Sequence, residues 1–321
     1  MAFENVKSIL SMGSPLSSLK LLPAAASSSR PRYRALWRLL LMPFLRQGVF
    51  TIRYWCEDRF FRVALRLSDL GADFYSVKEL ALRDIYQLDR GFHPDLVVDG
   101  GGNIGLFALR AATMTSTEGV APRLIVCEPL ARNVEQIQRH LEMNAVQAEV
   151  LPCCLGGSRK EIPFYCREAN QSSFDPATPY ESVIDIPVVT LEDVIGDVIG
   201  DGTGTTTAAA PATTRAERIL IKLDIEGMEV EVLDAFVPTE KRAVYIVGEL
   251  HEVPRNEAAM RRIFARGGWT FEMFDTDVET SSFRACSPSA VRLLGWAAAM
   301  ASNQVQEPAL GHAELHAEKV N

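Results

Sequence analysis

The sequence predicts an α/β domain with a mostly parallel central sheet, and three observations carry that prediction. Leu96-Val97-Val98 is an apolar run of strand character that ends at Asp99, turns through Gly100, Gly101 and Gly102, and enters a helical pattern at Leu106. Further apolar runs begin at Arg123, Arg218 and Ala243 and close on Glu128, Asp224 and His251, each with a helical pattern behind it. At 321 residues the chain can bury a full core in one large domain with extensions.

Residues 1–47 stand apart as a basic arm. No acid falls between Glu4 and Glu57, while Lys7, Lys20, Arg30, Arg32, Arg34, Arg38 and Arg46 are basic. The arm fits an organelle transit segment, a surface that touches anionic membranes through Tyr33 to Phe50, or a plain arm packed on the domain. Pro23 and Pro43 interrupt its short apolar stretches, so no secretory signal is expected. Residues 48–94 form a preface, with strands from Gly48 to Val63 and a helix from Leu70 to Leu88. Asp69, Asp73, Phe74, Tyr75 and Glu79 are its lid or substrate candidates, although each alone also fits a core position.

The main domain spans residues 95–302. Its glycine loop, Gly100-Gly101-Gly102-Asn103-Ile104-Gly105, is expected to bring backbone N–H groups close to a ligand at a helix start. The loop also satisfies the dinucleotide pattern G-x-G-x-x-G. Asp99 divides the two cofactor readings by charge: an acid repels a pyrophosphate and attracts the sulfonium and ammonium of S-adenosylmethionine. Glu128, about twenty residues beyond the loop, is placed to hold ribose hydroxyls, and Pro129 ends its strand.

An amphipathic helix from Asn133 to Leu141 is expected to turn Val134, Ile137 and Leu141 inward, and a third strand runs from Glu149 to Cys153. Ile162 to Cys166 and Asp185 to Thr190 read as strands of a hairpin-rich excursion, with Asn170 to Ser173 on a displayed loop. Leu191 to Ile199 is a short helix, and the Gly-, Thr- and Ala-rich residues 200–214 read as a disordered insertion. On the fourth strand, alternation puts Lys222 and Asp224 on one face, where they form an ion pair or an acid poised at a ligand edge. A helix follows from Met228 to Phe236, on which Glu226 and Glu229 read as favourable first-turn acids. Beyond His251 come a helix from Asn256 to Arg266, a sixth strand from Trp269 to Phe274, a helix from Pro288 to Ala301, and a loose tail over residues 303–321.

Net charge −8 argues against nucleic acid as the main partner and leaves a small-molecule, glycan or lipid-linked acceptor. The six cysteines show no zinc spacing, so a reducing, cytoplasmic setting is expected, with vicinal Cys153 and Cys154 as small buried hydrophobes. No metal is expected. Asp224, Glu226 and Glu249 are hard ligands, but their spacing is not diagnostic.

Taken together, Asp99 to Gly105, Glu128-Pro129 with Asn133 and Asn144, Val189-Thr190-Leu191, and Lys222-Leu223-Asp224-Ile225-Glu226-Gly227-Met228-Glu229 resemble the FkbM family of S-adenosylmethionine-dependent methyltransferases. The resemblance runs from about Asp95 to His251 and is weaker around Ser68 to Tyr86. It implies a class I (Rossmann-like) methyltransferase sheet of seven strands, the last antiparallel, with helices on both faces. It also implies that Gly100 to Gly105 hold the methionine part of the cofactor, Glu128 the ribose, and Cys154 and Leu155 the adenine. O-methylation of a sugar or other secondary product is the implied reaction. An alcohol acceptor of high pKa requires a base, for which His251 is the first choice, because an unperturbed imidazole titrates near neutrality, and Asp224 the second. An NAD-dependent oxidoreductase using the same loop and a non-catalytic scaffold are the alternatives.

Overall fold

The computed structural model describes residues 48–56, 59–166, 179–199, 216–237, 242–276 and 279–294. The basic arm, the loop at Asn170 to Ser173, the insertion at residues 200–214 and the tail lie outside the described residues. The preface is an antiparallel hairpin, β1 (Val49–Cys56) and β2 (Arg59–Arg66), followed by α1 (Leu70–Val77). The helix expected to reach Leu88 stops sooner. After Val77 the chain widens into a π turn over Lys78–Arg83, and Asp84 leaves it in the left-handed conformation at φ +50°, held by Arg110. That reversal carries Tyr86 into the core with Val97, Phe107 and Leu220, where it is buried.

Then come β3 (Leu96–Gly100), α2 (Leu106–Ala111), β4 (Arg123–Cys127), α3 (Ala131–Asn144) and β5 (Glu149–Leu151). Three short strands, β6 (Cys154–Leu155), β7 (Lys160–Cys166) and β8 (Ser182–Val189), form a separate sheet in the order β6-β8-β7, which is the excursion read from the sequence. The chain continues through α4 (Leu191–Ile199), β9 (Arg218–Leu223), α5 (Glu229–Phe236), β10 (Ala243–His251), α6 (Val253–Gly267), β11 (Thr270–Phe274), β12 (Thr280–Cys286) and α7 (Pro288–Leu294).

The central sheet has seven strands in the order β11-β12-β10-β9-β3-β4-β5, and only β12 runs antiparallel. This is the class I methyltransferase architecture. Hydrophobic periodicity alone does not reveal β12, because its inward positions include Ser281 and Ser282, both buried. Ser281 Oγ satisfies itself on Phe274 O (3.3 Å) and Thr276 Oγ1 (2.7 Å), so a polar sequence lies inside the sheet without an orphaned hydroxyl.

Strand order reverses between β3 and β9, the crevice where open α/β sheets bind ligands. Register sets Asp99 beside Lys222 and Gly100 beside Leu223 across that crevice. On α3 the inward stripe is more polar than its apolar residues predict. Ile137 and Leu141 are buried and Val134 is half-buried, while Asn133, Gln136 and His140 are buried with them. His140 Nε2 accepts the N–H of Ala64 (2.9 Å), and its Nδ1 donates to the carbonyl of Ile104 (2.6 Å), tying β2 to the end of the glycine loop. Burial lowers the pKa of this imidazole, which keeps it neutral and able to play both parts.

Candidate functional site

A cleft opens at the carboxyl ends of β3, β4 and β9. It is lined on one side by Gly101, Asn103, Glu128, Pro129 and Asn133, and on the other by Asp224, Ile225 and Glu226. Its floor is apolar, with Leu130, Cys154, Leu155 and Phe164. Of the residues expected to hold a cofactor, Gly101, Asn103, Glu128, Pro129, Cys154, Leu155 and Asp224 face this cleft; Asp99, Gly100, Gly102, Ile104 and Gly105 do not.

The glycines turn inward. A Cβ on Gly101, whose φ is +74°, would stand 1.8 Å from Asp224 O, and one on Gly102 would stand 2.3 Å from Val126 Cγ1. The missing side chains therefore make room for β9 and β4 and not for a ligand. Four of the loop's N–H groups are also committed inside the protein, which corrects the expectation of an open backbone cradle. Gly101 and Gly102 both donate to Cys127 O at 3.0 Å, Gly105 donates to Gly102 O at 2.7 Å, and Asn103 donates to Glu128 Oε2 at 2.8 Å. Ile104 is buried in the core beneath α3.

Lys222 fastens the same loop from below. Its ammonium, buried at 4% exposure, donates to Gly101 O at 2.6 Å and Gly100 O at 3.1 Å, with Asp99 Oδ1 at 3.4 Å and Asp224 Oδ2 at 3.6 Å. Burial pulls its pKa down, but Asp99 and Asp224 outweigh that and leave it above the ordinary lysine range. Asp99 was expected to face the ligand. It is buried, and its nearest cation is Lys222; burial raises its pKa, and Lys222 and the N–H of Ala108 oppose the rise. Both readings of the Lys222–Asp224 pair thus meet in one arrangement, since Asp224 borders the cleft and also faces the lysine.

Glu128 is buried and accepts three donors: Asn103 N–H, Leu130 N–H at 3.0 Å and Asn133 Nδ2 at 3.1 Å. Burial pushes its pKa up to about 7, and those donors oppose the shift. Asp224 Oδ2 accepts the hydroxyl of Tyr86 at 2.9 Å. Tyr86 escaped the sequence reading because only the early end of the preface helix brings it there.

His251 lies at the end of β10, behind the wall of the cleft. Its Nδ1 is 3.0 Å from Glu229 Oε1 and its Nε2 is 3.7 Å from Glu226 Oε2. Burial lowers its pKa, but the bond to Glu229 and the charges of Glu229, Asp224 and Glu226 prevail and push it up to about 10. An imidazolium has no lone pair with which to take a proton, so the expected neutral base titrating near 6 to 7 does not match this setting. Glu229 is more than a first-turn acid: it is fully buried and accepts the N–H groups of Ile225 (3.1 Å) and Gly227 (3.2 Å) as well as His251. Among the described residues no group of three or more His, Cys, Asp or Glu is arranged to hold a metal ion.

No family model and no curated protein matches the chain. Solved structures match at low identity. Precorrin-6y C5,15-methyltransferase from Geobacter metallireducens is 13% identical, with a TM-score of 0.36 over 66% of this chain and 88% of that one. The 16S rRNA N2 G1207 methyltransferase of T. thermophilus, solved with AdoMet and guanosine, is 12% identical, with a TM-score of 0.38 over 75% of this chain and 50% of that one. An O-methyltransferase from Bacillus cereus, solved with SAH, is 11% identical, with a TM-score of 0.34 over 62% and 75%. The class I architecture of this chain is stated by its own strand order, six parallel strands with antiparallel β12 inserted between β10 and β11.

Proposed function

We propose that this protein is an S-adenosylmethionine-dependent methyltransferase of the FkbM type that methylates a hydroxyl on a small-molecule, glycan or lipid-linked acceptor. One observation carries the cofactor. Apart from cysteine thiols, the ionisable residues lining the cleft are Glu128, Asp224 and Glu226, all acids, and the loop that would cradle a phosphate has spent the N–H groups of Gly101, Gly102, Asn103 and Gly105 on the protein. A wall lined by acids and, among the described residues, by no lysine, arginine or histidine offers nothing to hold the pyrophosphate of NAD and presents oxygens to a sulfonium and an ammonium. Asn103 Oδ1, buried at the cleft without a partner, is a ready acceptor for an ammonium.

When bound, S-adenosylmethionine supplies a methyl group on a positively charged leaving sulfur. Glu128 would hold the ribose hydroxyls from a carboxylate already oriented by three N–H donors. Leu130, Leu155 and Phe164 offer a flat apolar seat suited to adenine. Asp224, fixed by Tyr86 and Lys222, would orient the methionine end at the wall where an acceptor enters. Aligning the two partners is most of what the protein must supply.

Calorimetric titration with S-adenosylmethionine, S-adenosylhomocysteine and NAD tests the cofactor. Binding of the first two and not the third is expected, and the reverse would establish the oxidoreductase reading. Incubation with radiolabelled S-adenosylmethionine and fractionated native metabolites and lipids tests the acceptor. Label on oxygen is expected; label on nitrogen or carbon would discard the hydroxyl. Cofactor binding with no labelled product in any fraction would favour the scaffold.

A further inference from the structure

The turn Ile225-Glu226-Gly227 between β9 and α5 has an unusual backbone. Glu226 sits at φ +57° and Gly227 at φ +102°, two successive residues in the region that L side chains rarely adopt. Glutamate has no local side-chain bond to offset that conformation, so the surroundings must impose it, and such imposed strain gathers where a side chain has to be aimed. Glu229 is what imposes it. Its buried Oε1 gathers the N–H groups on either side of Glu226 and the Nδ1 of His251 into one knot.

The knot places Glu226 in the cleft wall beside Asp224, with its carboxylate 3.7 Å from His251 Nε2. The neighbouring acids are otherwise engaged. Asp224 accepts Tyr86 and faces Lys222, Glu229 is committed to the turn, and Glu249 is bonded to Thr280. Glu226 accepts no hydrogen bond among the described residues, and its nearest cation is His251 at 3.7 Å.

We propose that Glu226 takes the proton from the substrate hydroxyl, and that Glu229 and His251 are positioning residues that hold it at the cleft wall. This rests on the methyltransferase reading and names the group that serves it. As the hydroxyl oxygen forms its bond to the methyl carbon, the carbon–sulfur bond breaks with its pair going to sulfur, and the hydroxyl proton ends on a Glu226 oxygen. The charges facing Glu226 are His251 on β10, Asp224 at the end of β9, Glu229 on α5 and Glu249 on β10. Burial and the three acids push its pKa up to about 8, against the pull of His251, which suits a base working near neutral pH. A reactive wall made of acids also selects a substrate that carries no anionic group beside the hydroxyl.

Histidine nitrogen NMR and glutamate carboxyl NMR on the full chain without ligand test the assignment. His251 is expected to remain an imidazolium through neutral pH, and one carboxyl signal, absent from Glu226→Gln, is expected to titrate near pH 8. A neutral His251 at neutral pH, or a Glu226 that titrates in the ordinary carboxylate range, overturns the proposal. With any fraction that the wild-type protein labels, Glu226→Gln is expected to slow transfer by roughly 10²- to 10⁴-fold and Glu226→Asp to restore part of it. Retained activity in Glu226→Gln also overturns it. Failure of the wild-type protein to bind S-adenosylmethionine by calorimetry would sink the cofactor reading instead, and the two failures are read on separate measurements.

Discussion

The ammonium of Lys222 donates to the carbonyl oxygen of Gly101 at 2.6 Å, so a lysine of β9 holds the turn that follows β3. The same ammonium is the nearest cation to the buried carboxylate of Asp99. Lys222→Met is therefore expected to strand that acid and to cost about 3–5 kcal/mol of stability in urea unfolding. Adding Asp99→Asn to Lys222→Met should recover a large part of the loss. Equal stability of Lys222→Met and the wild-type protein would show that the lysine is dispensable to the loop.

The glycine loop yields a second comparison. Gly101→Ala must place a methyl 1.8 Å from Asp224 O at φ +74°, whereas Gly119→Ala meets nothing within 4 Å at φ +75°. Both carry the same backbone strain, about 1 kcal/mol. Gly119→Ala should lose only that amount, and Gly101→Ala should fail to give a folded domain by circular dichroism. Matching melting temperatures would refute the packing role of Gly101.

Glu128→Gln replaces one carboxylate oxygen by an amide that points N–H at N–H, because Asn103, Leu130 and Asn133 all donate toward it. Stability and S-adenosylmethionine affinity are both expected to fall, each by about 1–3 kcal/mol. A loss of affinity with an unchanged urea midpoint would mean that Glu128 serves the ligand alone.

Stability should decline as pH rises through the neutral and alkaline range. His251 has a folded pKa pushed from 6.5 up to about 10, so the folded state holds its proton more tightly; that contribution is complete below about pH 6.5 and gone once pH passes about 10. Glu226, raised from 4.5 to about 8, acts with the same sign over a lower window. Melting temperatures between pH 6.5 and 10 should fall in the wild-type protein and flatten in His251→Gln. A wild-type melting temperature that rises over that interval would contradict the His251–Glu229 geometry.

Local order fixes much of this protein. The apolar runs of β3, β4, β9 and β10, the acids at their ends and the glycines after β3 are legible one after another, because a buried parallel strand and the turn behind it are written in adjacent residues. The FkbM-like motifs lie on the same short stretches. What each acid does is decided by residues far along the chain. Asp99 reads as a ligand acid until register sets Lys222 beside it, and the glycines read as a ligand cradle until β4 and β9 pack against them. His251 reads as a neutral base until α5 brings Glu229 to its Nδ1, and Tyr86 reads as one residue of a long helix until Asp84 turns the chain. Charge and close packing act through space over a few ångströms, and only the folded chain determines which side chains come that near.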